Sequence, residues 1–417
     1  MSQYILINRI KVQNANAIAG FTWGFPAITH FLGFGHKLSR KLAKSENYRD
    51  ITLSGCAVVA HEHQLHIYRP IQRKEYPKGS GQYKQTLLDY QFVQSKNPAY
   101  LKNDVEKVVK GGAPSVIEEG KMNMTVSLLI GCNGNIGNRE EGFLQWLLKA
   151  CLSQRLAGGT ILDIANIQFH KPENSSDVKR ITRRILPGFV LLDRSRYLAR
   201  HYQELIKDNP AAELLDAWLD FSMLKQKARP KSDLISKHLQ KLIKEEPDSQ
   251  QVVQLMEVWQ QHIGIPYEET RVPEELKAYF EQLEESKANK KFLMQWENYC
   301  EPDEKTDADW EYVPKPEIGY LVPIMTGYKA ISQVYKNADV GNTRDNETDV
   351  CFVESAHSIG EWQSVHHIKT PEQLQSCLWR YHYEENWYLC KQSVDPQTDV
   401  INNHAKPYEN PEEEIYS

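Results

Sequence analysis

The sequence predicts an α+β fold on three observations. Its first 170 residues carry strand and helix signals in the order β-α-β-β-α-β, residues 210–300 are helical in period, and strand-like aromatic sequence returns after 309. Residues 3–13 (QYILINRIKVQ) alternate as a strand, and residues 25–43 (FPAITHFLGFGHKLSRKLA) carry apolar side chains at helical spacing. A strand over 51–68 follows, then a polar excursion over 69–112, a strand over 122–130, a helix over 139–156 and a strand over 161–169. That order suggests a ferredoxin-like core. Residues 69–110 hold 9 Lys and Arg against 4 Asp and Glu, contain the turn signal KGSG and are too long for an ordinary connection. They read as a protruding basic hairpin or loop; a disordered surface loop is the plain alternative.

From 210 the apolar residues recur at helical spacing: Leu214, Leu215, Trp218 and Leu219, then Leu234, Ile235, Leu239 and Leu242, then Val252, Leu255, Met256 and Trp259, then Leu276, Phe280, Phe292 and Trp296. Pro230, Pro247, Pro266 and Pro273 fall between or near these segments, so 210–308 reads as an inserted helical module with its own small core. It divides the main domain, 1–209, from a β-rich part over 309–392 that completes it. The stretch LWRYHYEENWYLCKQ alternates as a terminal strand would, and 393–417 read as an acidic disordered tail.

At 417 residues and 41% hydrophobic, the chain is long enough for two cores. Its apolar runs, such as MTVSLLIG and PGFVLLD, fall far short of the roughly 20 residues that cross a bilayer, and the N-terminus lacks the pattern of a signal peptide. The expectation is a cytoplasmic protein with no membrane partner. Seven cysteines, odd in number and without a CxxC pair, fit neither a disulfide scaffold nor a zinc site, and no metal or other cofactor is expected. The formal charge of −5 is unevenly spread: residues 230–309 hold 10 Lys and Arg against 18 Asp and Glu, and 393–417 hold 1 against 6. The remainder is therefore basic, as a phosphate-binding body requires.

Three clusters carry chemistry. In QNANAIAGFTWGFPAITHFLGF, where the first strand meets the first helix, Asn14 and Asn16 can donate and accept hydrogen bonds while Trp23 and Phe25 offer stacking faces. Large aromatics are as readily core residues. In QRLAGGTIL the residues Arg155, Gly158, Gly159 and Thr160 would allow close approach of a sugar-phosphate backbone, although a Gly-Gly helix cap would look the same. In KRITRRILPGFVLL the cations Lys179, Arg180, Arg183 and Arg184 stand before an apolar strand, where they neutralise phosphates or simply form a solvated face.

Taken in order, QNANAI, TWGFP, VIEEG with VSLLIG, RLAGGTIL, RRILPGFVLL, GYLVPI with TGYKAIS, and NTRDNETDVCFVE with GEW resemble the Csy-two-type Cas-five family of the repeat-associated mysterious protein superfamily. The resemblance covers 3–228 and 309–391. It implies a ferredoxin-like RNA-recognition core with a protruding basic thumb, here joined by the inserted helical module. It also implies a non-catalytic subunit of a type I-F CRISPR surveillance complex that grips the 5′ handle of the guide RNA. Such a subunit pairs with the large subunit, abuts the backbone subunit and meets target DNA through the complex. Carried across by motif, the thumb is 69–112 with Arg69, Arg73, Lys74 and Lys84 as its cations, and the glycine-rich loop is 155–160. Arg183 and Arg184 form the basic strand entry, Arg344 is the C-terminal contact, and Glu118 and Glu119 accept from base amino groups or cap a strand. Residues 229–308 have no counterpart in the compact members of the family, and their acidity suits a basic protein surface better than RNA.

The rival reading is a metal-independent endoribonuclease that processes guide precursor, because some relatives cut RNA themselves. That chemistry needs a general acid or base near the 2′-OH. AHEHQLHIY offers His61, His63 and His66, but on a regular strand His61 and His63 share one face while His66 points the other way. The sequence contains no Ser-His-Asp pattern, HExxH, P-loop or paired DxD carboxylates in a suitable context.

Overall fold

A computed structural model describes residues 3–20, 22–75, 77–79, 81, 83–88, 91–92, 94–96, 116–118, 120–265, 272–283, 286, 289–343 and 347–392. Helix and strand are mixed along the chain, an α+β architecture in two compact units: Met1–Ser222 with Pro316–Ser417, and Met223–Lys315.

The first unit opens on β1 (Gln3–Asn16), short strands β2 (Ile18–Ala19) and β3 (Thr22–Trp23), and helix α1 (Ile28–Ala43). Next come β4 (Thr52–Leu65), β5 (Ile67–Tyr68), β6 (Ile71–Glu75), β7 (Tyr83–Leu87), β8 (Gln91–Phe92), β9 (Gln94–Lys96), β10 (Val116–Glu118) and β11 (Lys121–Asn133). They are followed by α2 (Glu140–Leu152), β12 (Arg155–Leu156), β13 (Gly159–His170), α3 (Ser175–Arg184), β14 (Phe189–Asp193), α4 (Ser195–Asp208) and α5 (Leu214–Ser222). After the second unit the chain returns as β17 (Leu321–Ala330), β18 (Val353–Ser364), α10 (Pro371–Ser376), β19 (Trp379–Glu384) and β20 (Trp387–Gln392). Ten strands form one sheet in the order β12-β13-β1-β11-β4-β14-β18-β17-β20-β19. Strand β19 also pairs with β4 through Trp379 and Cys56, so the second half of the sheet closes back on β4.

The centre of this sheet is buried on both faces, which is why β11 carries the nearly continuous apolar run MTVSLLIG. Ile5, Ile7, Ile10, Val126 and Leu128 face Phe31 and Leu38 of α1 and Phe143 and Leu147 of α2. Tyr4, Leu6, Val59 and Leu129 face Val178 and Ile181 of α3 and Leu374 of α10. Each fully buried side chain of this size contributes about 1.5–3 kcal/mol. Local signals fix the two covering helices: the Asn174 side chain accepts from the N–H groups of Ser176 and Asp177, and Thr370 and Gln373 form a capping box with Pro371 at the helix start.

Two expectations change here. The terminal stretch is a hairpin of β19 and β20 rather than one strand, because Glu385 at its turn adopts φ 49°. Helix α5 belongs to the first unit, since Ala217, Trp218 and Phe221 pack with Tyr197, Leu198, Leu321 and Ile359. The second unit thus begins at 223 rather than 210.

That unit is a ribbon of β15 (Gln226–Pro230) and β16 (Ala308–Tyr312) enclosing α6 (Asp233–Glu245), α7 (Gln250–Ile263), α8 (Glu274–Glu281) and α9 (Lys290–Cys300). Ile235, Leu239, Leu255, Trp259, Leu276, Phe280, Trp296 and Tyr299 form its core. No helix among the described residues is long and apolar enough to cross a membrane. The tail over 393–417 lies outside the described residues.

Candidate nucleic-acid interface

The C-terminal end of β1 carries several of the candidate residues. Toward its C-terminal end the strand is interrupted twice: pairing with β11 shifts between Ile7 and Ile10 and between Val12 and Ala15, and Arg9 and Asn14 adopt φ of 49° and 56°. Asparagine tolerates that left-handed backbone better than most residues. The Asn14 N–H donates to Asn123 Oδ1 at 3.2 Å. The Asn16 amide is engaged in its own loop: Nδ2 donates to Ile18 O at 2.8 Å, and the Ile18 N–H donates to Asn16 Oδ1 at 3.0 Å. Asn16 therefore shapes the turn that leads to β2. Trp23 pairs with Ile18 in the β2–β3 ribbon and is 49% exposed, whereas Phe25 stacks on Phe31 and meets Trp362 edge-on in the core.

Against this end of β1 lies the β12–β13 hairpin. Arg155 pairs with Thr160 and Leu156 with Gly159, which leaves Ala157 and Gly158 as the turn, with φ of 49° and 76°. Positive φ at both central residues is what the favoured two-residue hairpin turns need. The two glycines have separate causes. Gly158 supplies the positive φ in open space, while a Cβ on Gly159 would lie 2.6 Å from Gln13 O and 2.8 Å from Ala15 N. The tip docks on β1 through the Asn16 N–H, which donates to Ala157 O at 2.8 Å, and Gln13 pairs with Thr160. Arg155 and Thr160 remain exposed beside Asn14 and Asn16.

The basic excursion springs from the same end. Lys121 pairs with Asn16, and its carbonyl accepts from the His66 N–H at 2.8 Å. Arg69 Nε donates to Leu88 O at 2.9 Å, which holds the root of the hairpin, and β6 and β7 pair with Lys74 directly opposite Lys84 and Arg73 opposite Gln85. Arg73 and Lys74 are exposed. The side chains of Lys84 and Glu118 lie outside the described residues, although the backbone of Glu118 pairs with Gln94. Glu119 and Arg344 lie wholly outside them.

Arg183 and Arg184 are elsewhere. They sit in the last turn of α3, where cations complement the helix dipole, instead of at a strand entry. Arg184 and, more strongly, burial push the His170 imidazole below its ordinary pKa, and His170 pairs with Tyr4 at the start of β1. Ten residues of β13 separate His170 from Thr160, about 33 Å of strand. The structure thus gathers Asn14, Asn16, residues 155–160 and the hairpin root, and leaves Arg183 and Arg184 outside that group, shortly before Leu186, whose carbonyl accepts from the Arg9 guanidinium at 2.9 Å near the middle of β1.

The histidines are corrected by a bulge. Val126 pairs with Ala60 but Thr125 with Glu62, so His61 is the extra residue and both His61 and Glu62 fall on one face. His63, opposite Met124, then points to the other face, and the expected sharing of a face by His61 and His63 fails. The His61 Nδ1–H donates to Pro187 O at 2.7 Å, and Nε2 lies 2.7 Å from Ser127 Oγ. Burial lowers the His61 pKa from its ordinary value and so favours the neutral ring. The single Ser127 hydroxyl hydrogen goes either to His61 Nε2 or to Asn8 Oδ1, which lies 2.9 Å from Ser127 Oγ, and the same oxygen accepts from the Arg9 N–H at 2.9 Å. Sequence patterns gave no sign of this network, because a bulge leaves residue types unchanged.

These features define a mixed α/β protein whose sheet ends in a polar, cationic hairpin surface suited to binding. The family model described as CRISPR-associated protein (Cas_Csy2) matches residues 5–241 and 231–390. The CRISPR-associated protein Csy2 of Pseudomonas aeruginosa (strain UCBPP-PA14) is 29% identical over 405 residues, covering 94% of this chain and 94% of that protein. The chain belongs to the Csy2 family of CRISPR-associated proteins. Coverage that complete leaves no room for an unmatched insertion over 229–308, so the helical region is part of the family's length and not a departure from it.

Proposed function

We propose that the chain is a non-catalytic subunit of a type I-F CRISPR surveillance complex, holding the 5′ handle of the guide RNA and pairing with the large and backbone subunits. The observation that carries the RNA reading is the convergence of Asn14, Asn16, Arg155, Thr160 and the root of a cationic hairpin at one end of the sheet. The strand order β13-β1-β11-β4, with helices after the first and third strands in sequence, supports a ferredoxin-like core. The β6–β7 hairpin with Arg73 and Lys74 serves as its thumb, and Glu118, Glu119 and Arg344 stay candidates for base or partner contact. Residues 1–222 and 316–392 then act as the RNA-binding domain, and the helical module serves a protein contact.

The His61 ring supports a binding role over cleavage. Both of its nitrogens are engaged, and its neighbour Ser127 is fully buried, so neither can reach a 2′-OH without rearrangement. Co-expression with a guide RNA and the neighbouring subunits tests the reading. The expected result is a ribonucleoprotein that retains intact guide; specific cleavage of guide precursor by the purified chain, lost in His61→Ala, would overturn it.

A further inference from the structure

Helix α1 contains no Asp or Glu, yet it exposes His36, Lys37 and Arg40 and ends on an exposed Lys44. Lys37, Arg40 and Lys44 have no ion-pair partner among the described residues. Lys41, which lies between them, is engaged inward, donating to Ala150 O at 3.2 Å and Ser153 Oγ at 2.8 Å. The free cations span seven residues, about 10 Å of helix. One turn before His36 the surface is bare: Gly33 is exposed, and a Cβ there would meet nothing within 4 Å.

A second, independent feature lies beside this stripe. The His36 ring meets Tyr381 edge-on at 6.2 Å, and Tyr381 begins a run of rings in which Tyr388 lies 5.3 Å from Tyr381, 5.0 Å from Tyr383 and 6.4 Å from Tyr328. Tyr383 is 72% exposed. Of the acids nearby, Glu384 lies 3.2 Å from His382 and 3.8 Å from Lys391, and Glu385 occupies the hairpin turn.

We propose that helix α1 and the tyrosine run of β17, β19 and β20 form a contact for single-stranded nucleic acid, on different elements from the Asn14–Arg155 site. Cations along a helix follow phosphates, and an adjacent exposed ring accepts an unstacked base, which a duplex cannot offer. The contact does not depend on the handle reading.

The test is a salt series of binding constants for the full chain with a labelled thymidine homopolymer, a uridine homopolymer, a DNA duplex and handle RNA. Replacing Lys37, Arg40 and Lys44 together by Ala should flatten the homopolymer salt dependence by about 2 units of slope, at about 0.7 per lost contact. Tyr383→Ala should weaken homopolymer binding about tenfold with the slope unchanged. Handle affinity should hold in both variants. Loss on both homopolymers, or on one alone, supports the contact and reports whether the sugar matters. Wild-type behaviour of both variants overturns it. So does a silent Tyr383→Ala with duplex affinity lost in the triple variant, which would mean a backbone-only duplex surface. Parallel loss of handle RNA would make this one site and overturn the proposal as well.

Discussion

Arg194 and Glu361 form an ion pair inside the first unit, Nε to Oε2 at 2.6 Å, with side chains only 8% and 9% exposed. The Arg194 guanidinium also lies over the Tyr197 ring at 5.3 Å, and the Arg194 backbone N–H donates to Ile359 O at 2.9 Å. The pair ties the start of α4 to β18. Removing one partner leaves a buried charge alone, so Arg194→Ala should cost about 3–5 kcal/mol in urea unfolding. Replacing both residues by apolar ones of similar volume should cost far less. A single substitution costing under about 1 kcal/mol would show that water reaches the site.

Arg229 plays a comparable part in the second unit. It donates to the carbonyls of His262, Ile263 and Ile265 at the end of α7, and to Tyr299 and Glu311. It satisfies carbonyls that a helix end leaves unpaired. Arg229→Lys keeps the charge but not the fork of donors. It should lower the unfolding midpoint of this unit, read by hydrogen exchange in α7, while handle binding by the full chain stays unchanged.

The two glycines at the β12–β13 tip should respond differently. Gly158→Ala meets no neighbour and carries only left-handed strain, about 1–2 kcal/mol. Gly159→Ala places a methyl against the backbone of Gln13 and Ala15, so the tip must lift from β1. Handle binding should survive the first change and fall with the second, as titrations of both variants would reveal. Equal effects would contradict the docking of the tip.

Acid should weaken the fold through His61. Its folded pKa lies below the ordinary 6.5 because burial disfavours the charged ring. The unfolded chain therefore binds the proton more readily, and stability is full above pH 6.5 and falls as the pH drops from there toward the folded pKa. His61→Asn should reduce the loss of stability between pH 7 and pH 5.5 in parallel urea titrations. His30 and His357, lowered by burial in the same sense, leave a residual slope.

Much of this was legible because buried strands and covering helices announce themselves by composition. The run MTVSLLIG became β11, and the periodic FLGFGHKL became α1, each within a few residues of its expected bounds. What the sequence hid was local. The bulge at His61 and the left-handed Asn14 change which face a side chain takes without changing any residue type. Arg183 and Arg184 stand shortly before the apolar strand β14, and they do so at the end of a helix that NSSD announces with a start signal. The meeting of Asn14 and Asn16 with residues 155–160 follows from strand register, which a sequence leaves open.

Handle affinity over a salt series decides whether the guide handle sits at the Asn14–Arg155 end of the sheet. Arg155→Ala should cost about 1–3 kcal/mol. Arg73→Ala and Lys74→Ala should each flatten the salt dependence by about 1 unit of slope, and Arg184→Ala should act additively with Arg155→Ala, as distant sites do. Wild-type affinity in Arg155→Ala, Arg73→Ala and Lys74→Ala at every salt concentration, with the loss confined to Arg184→Ala, would place the RNA at the end of α3 and contradict the handle site at Asn14 and Arg155.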